Sequence, residues 1–226
     1  MLPDLLQQMG FIAADREVDR PAVGVSACLI GRPVRYDGGH RRHARVHDEL
    51  AGLVRLVEVC PEVAVGLPVP RPPIQVVQIK GARRVRHVTA PRQDLTEALA
   101  DQAGAVGPAI SGFVVKSRSP SCGLGTTPVH DDQGRPFALG DGAFAGALAR
   151  RHPDLPMAND SDLDAPLFTQ AFLLRVFCHH HWRTHGADGL TTLRARSGRL
   201  DEPLLSGTRR FLDRLAAIEK PLTPAR

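Results

Sequence analysis

The chain has 226 residues, of which 42% are hydrophobic, and a formal charge of +5. This composition excludes an intrinsically disordered chain and supplies enough apolar side chains for one substantial core. Four cysteines are too few for a disulfide scaffold, the first residues lack the pattern of a signal peptide, and no apolar run is long enough to cross a bilayer. We therefore expect a cytoplasmic protein with free thiols and no membrane partner.

The predicted elements alternate between strands and helices along most of the chain. In chain order, the patterns predict an amphipathic extension (1–20), a strand (22–27), a helix (46–56), a strand (56–59), a hairpin (74–79 with 84–88), a helix (94–103), a strand (110–115), a helix (142–151), helical structure from 166 onward and a last amphipathic helix (203–218). This alternation indicates an α/β fold with a mostly parallel sheet flanked by helices, a Rossmann-like three-layer arrangement with a C-terminal helical extension. We divide the chain into an N-terminal extension (1–21), an α/β domain (22–165) and a C-terminal helical extension (166–226).

Three cysteines follow predicted strands. Cys28 and Cys60 stand at the ends of the first two strands, and Cys122 comes a few residues after the strand over 110–115. Ligands of parallel α/β sheets bind beyond the carboxyl ends of the strands, so we expect the three thiols to meet at one edge. Soft thiolates suit zinc or an iron–sulfur cluster. No Cys-x-x-Cys pair is present, however, and each cysteine taken alone is also consistent with a small buried hydrophobic side chain.

The fourth cysteine, Cys178, stands directly before three histidines. On a helix, Cys178 and His181 lie three positions apart, which is compatible with a second metal site or a fourth cluster ligand. The alternative is a helix face flanked by aromatic residues and carrying surface histidines, and we favour it.

Five stretches around the first three cysteines carry a family resemblance. They are 25–31 (VSACLIG) with 34–38 (VRYDG), 59–63 (VCPEV) with 66–71 (GLPVPR), and 116–123 (KSRSPSCG). In these motifs, the chain resembles domain-of-unknown-function family 523, which includes 2-thiouracil desulfurase, from about residue 23 to 183. The resemblance implies an α/β cluster-binding domain in which Cys28, Cys60 and Cys122 hold a [4Fe-4S] cluster with one open iron. Cys178 lies outside the motif pattern, and residues 184–226 lie outside the resemblance.

The resemblance also implies an activity, the non-redox desulfuration of a small thiolated nucleobase such as 2-thiouracil. Sulfur would be accepted by the open iron of the cluster while water attacks the carbon. We expect Glu62, two residues after Cys60, to act as the base; the alternative is a turn carboxylate paired with Arg71. Ser111 resembles a polar position near the family's active site and would hydrogen-bond the substrate; the alternative is a serine at a strand edge.

Polar residues beside the cysteines are candidates for substrate binding. They are Arg35, Tyr36 and Asp37 in the loop after Cys28, and Lys116, Ser119 and Ser121 in the third motif. Lys116 and Arg118 would hold an anionic substrate or offset the charge of the cluster. The two serines would hydrogen-bond cluster sulfurs or cap the turn, and an ordinary Asp-Gly turn explains Asp37 equally well.

Two other functions stay open from the residues alone. The first is a zinc-dependent hydrolase, since His43 and His47 have the spacing of two ligands on a helix face, although Ala44 stands where the zincin pattern has glutamate. The second is a non-catalytic iron–sulfur or RNA-binding module. Of the 29 basic residues 26 are arginines, which would attract tRNA, but one Trp and one Tyr offer little for stacking bases. An arginine-rich solvated surface is therefore favoured over a tRNA site, and the oligomeric state is left open.

Overall fold

The computed structural model describes residues 2–11, 20–90 and 92–218. In chain order, the helices and strands are α1 (Leu2–Gln8), β1 (Ala22–Ser26), β2 (Arg55–Val59), α2 (Pro61–Ala64), β3 (Ile74–Ile79), β4 (Ala82–His87), α3 (Thr96–Val106), β5 (Gly112–Val115), β6 (Thr127–His130), β7 (Pro136–Gly140), α4 (Ala143–Arg151), β8 (Met157–Asn159), α5 (Pro166–Ser197) and α6 (Leu204–Ala216).

The first sheet has the strand order β2-β1-β5-β8, and each neighbouring pair in it is parallel. Every residue of β1 and β5 is buried, as expected for parallel strands covered on both faces. On one face, Val23 and Val114 pack with Phe172 of α5. On the other face, Phe113 packs with Phe144 of α4. The prediction of an α/β fold with a mostly parallel sheet between helices is confirmed.

The second sheet has the order β4-β3-β6-β7 and is mixed. The predicted hairpin around Gly81 is present as the antiparallel pair β3–β4, whereas β3 and β6 are parallel and β6 and β7 antiparallel. Strands β6, β7 and β8 were not predicted. They have only three to five residues, and β6 and β7 both contain proline, so none of them carries a long alternating pattern.

The predicted helix over 46–56 is wrong in its regularity. A π-helical turn at Arg45–Glu49 is followed by a 3-10 turn at Leu50–Gly52, and β2 already begins at Arg55. Val46, Leu50 and Val54 are nevertheless buried in the core beneath the first sheet. The apolar spacing therefore predicted the burial correctly, while the short connection to β2 leaves no room for a longer regular helix.

The two ends of the described chain pack against each other. Leu5 and Met9 join Trp182 of α5 and Leu212 of α6 in a second apolar core. Helix α5 is bent at Gly186, whose φ of 61° and ψ of −140° interrupt the helical geometry. Residues before the bend, such as Phe172 and Val176, pack in the core of the parallel sheet, and residues on both sides of the bend, such as Trp182 and Leu193, pack in the second core. The predicted domain boundaries stay predictions. Within residues 2–11, 20–90 and 92–218, no helix has the length and apolarity needed to cross a membrane.

The centre of the parallel sheet offers a test of this packing. A methyl group on Gly24 of β1 would lie 2.4 Å from Cδ2 of Phe113 on the neighbouring strand. Because Phe113 is fully buried, its ring has no free space to enter. We expect Gly24→Ala to lower the free energy of unfolding by about 1–3 kcal/mol, measured by urea denaturation.

A matched control is Gly207→Ala on α6, where nothing lies within 4 Å of the added methyl group. This change should stabilise the protein by up to about 1 kcal/mol, because alanine favours the helix over glycine. A Gly24→Ala protein as stable as the unchanged chain would contradict the packing described for β1 and β5.

Candidate functional site

A cavity of about 440 Å³ opens at the carboxyl ends of β1, β2 and β5. In the order β2-β1-β5-β8, the strand after β1 lies on one side of it and β5 lies on its other side, so the strand order reverses between β1 and β5. Open α/β sheets bind ligands at such a point. Cys28, Cys60 and Cys122 all line this cavity. The structure therefore brings the three motif cysteines to one place.

All three thiols are free and largely shielded from water. Burial raises the pKa of Cys28 to about 11, against the opposing charge of Arg35. Burial also raises the pKa of Cys60, which the backbone N–H of Val63 opposes. The pKa of Cys122 is raised as well by burial, while a hydrogen bond from the Ser26 hydroxyl acts the other way. The thiols influence one another's ionisation, so deprotonating all three requires a cation among them.

The loop that carries Cys122 is held by its own polar groups. Ser119 Oγ accepts hydrogen bonds from the backbone N–H of Ser121 at 3.3 Å and of Cys122 at 3.1 Å. Thr127 Oγ1 donates to the carbonyl of Ser119 at 2.8 Å. At Gly123 an added methyl group would lie 2.3 Å from Thr127 Oγ1, so the close packing requires glycine there. Ser119 thus lines the cavity and also caps the turn that presents Cys122.

Glu62 lines the cavity and is paired with Arg71, the partner considered in its alternative interpretation; its role as a base stays a prediction. Glu62 Oε2 accepts from Arg71 Nε at 2.8 Å and lies 2.7 Å from Nη2. Ser121 Oγ donates to Glu62 Oε1 at 2.8 Å. The Arg71 side chain is only 3% exposed and that of Glu62 12%. The pair therefore lies largely out of water, and it connects the segment after β2 with the segment after β5.

Arg71 also reaches two backbone carbonyls. Its Nη2 donates to Val34 O at 2.9 Å, and its Nη1 donates to Pro68 O at 3.2 Å. Val34 belongs to the loop after Cys28. A single buried guanidinium thus contacts the segments that carry two of the cysteines and, through Glu62, the third. The sequence indicated Arg71 only as a partner of Glu62, because its contacts with backbone carbonyls depend on the tertiary fold.

Lys116 also lines the cavity, and it has a carboxylate partner that the sequence did not indicate. Lys116 Nζ lies 2.7 Å from Asp160 Oδ2, and Asp160 Oδ1 accepts from the backbone N–H of Ser117 at 2.7 Å. Burial opposes ionisation of Asp160, but the bonds from Lys116 and Ser117 outweigh it and lower its pKa. Asp160 directly follows β8, so the strand that could have indicated it was itself too short to predict.

The predicted loop residues take different positions. Arg35 and Tyr36 line the cavity, with the Arg35 guanidinium carbon 5.4 Å from the centre of the Tyr36 ring. Asp37 is not among the lining residues; it accepts from the backbone N–H of Gly39 at 3.0 Å and lies 3.4 Å from Arg35 Nε. This is the Asp-Gly turn considered as its alternative. Ser121 stands behind the cavity wall, fully buried against Glu62.

Ser111 lies away from the cavity. It precedes β5 and therefore sits at the amino end of the strand, whereas the cysteines gather at the carboxyl ends. Its Oγ is 3.4 Å from His180 Nδ1 on α5, and its backbone N–H donates to Ala22 O. The predicted contact between Ser111 and substrate does not match this position, and Ser111 has no part in the function proposed below.

Cys178 is also separate from the three motif cysteines. It is fully buried in the second apolar core beside Trp182, and burial raises its pKa to about 12. The favoured expectation of surface histidines beside it fails for His179. That residue is buried, and its Nε2 lies 3.1 Å from Asp154 Oδ2.

The two histidines with zinc-ligand spacing contact different carboxylates. His43 Nε2 lies 3.3 Å from Asp164, and His47 Nδ1 lies 2.8 Å from Asp48. More generally, the described ranges contain no group of three or more His, Cys, Asp or Glu side chains close enough together to hold one metal ion. The three motif thiols accordingly surround a shared cavity and do not form a compact single-ion site.

Comparisons with known proteins agree with this geometry. A family model described as 2-thiouracil desulfurase matches residues 23–160, the span from β1 to the residue after β8 that includes all three motif cysteines. An uncharacterized protein of Bacillus subtilis (strain 168), YbbK, is 32% identical over 112 residues, covering 45% of this chain and 72% of that protein. The solved structure of the [4Fe-4S]-dependent thiouracil desulfidase TudS has 30% identity and a TM-score of 0.54, covering 69% of this chain and 99% of that one.

The buried pair of Arg71 and Glu62 can be tested by a double-mutant cycle in the metal-free protein. Arg71→Met leaves a shielded carboxylate without its partner, and we expect it to lower the free energy of unfolding by about 3–5 kcal/mol. Adding Glu62→Gln should recover part of that loss, with a coupling energy of about 0.5–3 kcal/mol. Urea denaturation of the four proteins measures both quantities. Strictly additive effects would contradict the pairing.

Proposed function

The chain belongs to the 2-thiouracil desulfurase family, and from this premise we propose that it replaces sulfur by oxygen in a small thiolated nucleobase such as 2-thiouracil, using a [4Fe-4S] cluster. The observation that carries the proposal is the gathering of three free, shielded thiols around one cavity at the carboxyl ends of β1, β2 and β5. The family membership supports the desulfuration. The use of a [4Fe-4S] cluster and the identity of the substrate are our proposals.

The thiols fit a cluster better than a single ion. Cys28, Cys60 and Cys122 would each bind one iron, which leaves one iron without a protein ligand. The position of all three thiols around one cavity of about 440 Å³ supports this choice. Arg35 and Lys116 favour the thiolate form of Cys28 and would offset negative charge brought into the cavity. When bound, such a cluster supplies a Lewis-acidic iron able to polarise a thiocarbonyl group.

Glu62 would orient the attacking water. Its Oε2 accepts from Arg71 and its Oε1 from Ser121, so the carboxylate is fixed in position. A carboxylate oxygen has more than one acceptor position, which leaves Glu62 able to accept a proton of water within the cavity. Holding the water in this way directs its oxygen to the thiocarbonyl carbon, and Glu62 can then receive the proton that the water loses.

The cavity wall supplies the contacts that would orient the base. The Tyr36 ring offers an apolar face beside the cavity, and Arg35, Lys116 and Ser119 offer donors to the carbonyl and ring nitrogen atoms of a pyrimidine. Lys116 is held by Asp160 and so approaches the cavity from a fixed side. The wall thus combines a few convergent polar groups with apolar surface, as small-molecule sites do.

The three-thiolate proposal predicts the iron content of single cysteine variants. After anaerobic reconstitution, we expect about four iron and four sulfide per chain in the unchanged protein. Cys28→Ala, Cys60→Ala and Cys122→Ala should each lose the cluster and its absorbance near about 400 nm, because each removes one of only three ligands. Cys178→Ala is the matched control and should keep the full cluster, since Cys178 lies in the second core.

Full iron and sulfide content in any of the first three variants would refute the assignment. So would a colourless unchanged protein that binds one zinc per chain. These outcomes are read from metal analysis and do not depend on the choice of substrate.

The role of Glu62 predicts a loss of turnover without loss of the cluster. Glu62→Gln keeps the size of the side chain but removes its capacity to take a proton, and we expect the rate of 2-thiouracil turnover to fall about 10²–10⁴-fold. Ser111→Ala, at the other end of β5, is the control and should retain the unchanged rate. Iron content is measured in both variants. Unimpaired turnover in cluster-replete Glu62→Gln would remove Glu62 from this role.

A further inference from the structure

A second cavity, of about 230 Å³, lies between the C-terminal helices and the family domain. Its lining includes Arg175 of α5 and Arg214 and Phe211 of α6, together with His152 and Met157, which lie before and within β8. The family model ends at residue 160, so both arginines lie outside the matched span. The cavity is therefore formed where the additional helices meet the family domain.

The two arginines face this cavity without a carboxylate partner in the described part of the chain. Arg175 donates from Nε to the carbonyl of Ala171 in its own helix, at 3.0 Å. The guanidinium carbon of Arg214 lies 5.5 Å from the centre of the Phe211 ring. No ion pair joins either side chain to a described acidic residue, which leaves most of their N–H donors available.

The proximity of the two positive charges opposes the folded arrangement. Burial lowers the pKa of Arg175, and the charge of Arg214 lowers it further, so the two groups are close enough to repel each other. Asp154 also lines the cavity, but its Oδ2 is directed to Nε2 of His179, at 3.1 Å. A multivalent anion would stabilise this arrangement, because two positive charges on different helices line one concave surface and have N–H donors available.

We propose that this cavity binds a small, doubly charged oxyanion of the phosphate class between Arg175 and Arg214. Guanidinium groups suit the geometry of a phosphate because each can donate two parallel hydrogen bonds. The volume of about 230 Å³ is below the range of about 300–1,000 Å³ typical of pockets for larger organic ligands, so we expect a free ion to fit the site.

The bound ion would stabilise the packing of α6 against the domain that carries the cysteines. Arg214 and Phe211 belong to α6, whereas Leu124, which also lines the cavity, is two residues from Cys122. Leu124 is itself held by Asn159, through bonds of 3.1 and 3.0 Å. The predicted effect is local stabilisation of α6, and it does not require the protein to be a desulfurase.

The test is hydrogen exchange of the full chain with increasing inorganic phosphate, with sodium chloride adjusted to keep the ionic strength constant. Phosphate should slow exchange of the amides in 204–216 in a saturable manner. Arg175→Gln and Arg214→Gln should each weaken the apparent phosphate affinity about tenfold or more, because each removes charge-assisted hydrogen bonds. Arg210→Gln, which removes an exposed arginine from the same helix, is the matched control and should leave the affinity unchanged.

Three results would overturn the proposal. The first is an absence of phosphate protection in the unchanged protein. The second is an equal loss of affinity in Arg210→Gln, which would indicate a diffuse attraction to the basic surface. The third is protection of 204–216 by uridine monophosphate at more than tenfold lower concentration than phosphate, which would indicate a nucleotide site. Circular dichroism confirms that each variant is folded, and Arg175→Lys, which keeps the charge, should retain part of the affinity.

Discussion

The buried guanidinium of Arg71 is the interaction on which the cavity depends. It donates to Val34 after β1 and to Pro68 after β2, and it holds Glu62, which in turn accepts from Ser121 beside Cys122. Loops at the ends of strands are ordinarily the most mobile parts of an α/β fold. Here one side chain, only 3% exposed, connects all three cysteine-bearing segments around the cavity that their thiols share.

The same arrangement sets the electrostatics of the cavity. Burial raises the pKa of all three thiols, which disfavours thiolates unless positive charge is close. Arg35 and Lys116 provide part of that charge, and an iron–sulfur cluster would provide the rest. Lys116 is oriented by Asp160 after β8, the fourth strand of the parallel sheet. The segments after β1, β2 and β5 thus line the cavity, and the residue after β8 binds one of its lining side chains. The charges of the cavity and the proposed chemistry both depend on residues at this edge of the sheet.

Much of this edge could be predicted from the sequence. The apolar runs before Cys28, Cys60 and Cys122 predicted three parallel strands, and the pairing of Glu62 with Arg71 was among the stated alternatives. Tertiary contacts decided the rest. Ser111 is an exception, because it lies at the start of the predicted strand over 110–115 and the direction of a parallel strand already places it at the end opposite the cysteines. The strands β6, β7 and β8 were too short to detect, and no local pattern indicated that α1 packs against α6.

The most direct test of the central claim is the fate of oxygen and sulfur in a single reaction. Anaerobically reconstituted protein is incubated with 2-thiouracil in heavy-oxygen water, and uracil and sulfide are quantified. We expect uracil that carries a solvent oxygen atom, sulfide in equal amount, and no product from protein without its cluster. A protein with a full complement of iron and sulfide that leaves 2-thiouracil unchanged would contradict it.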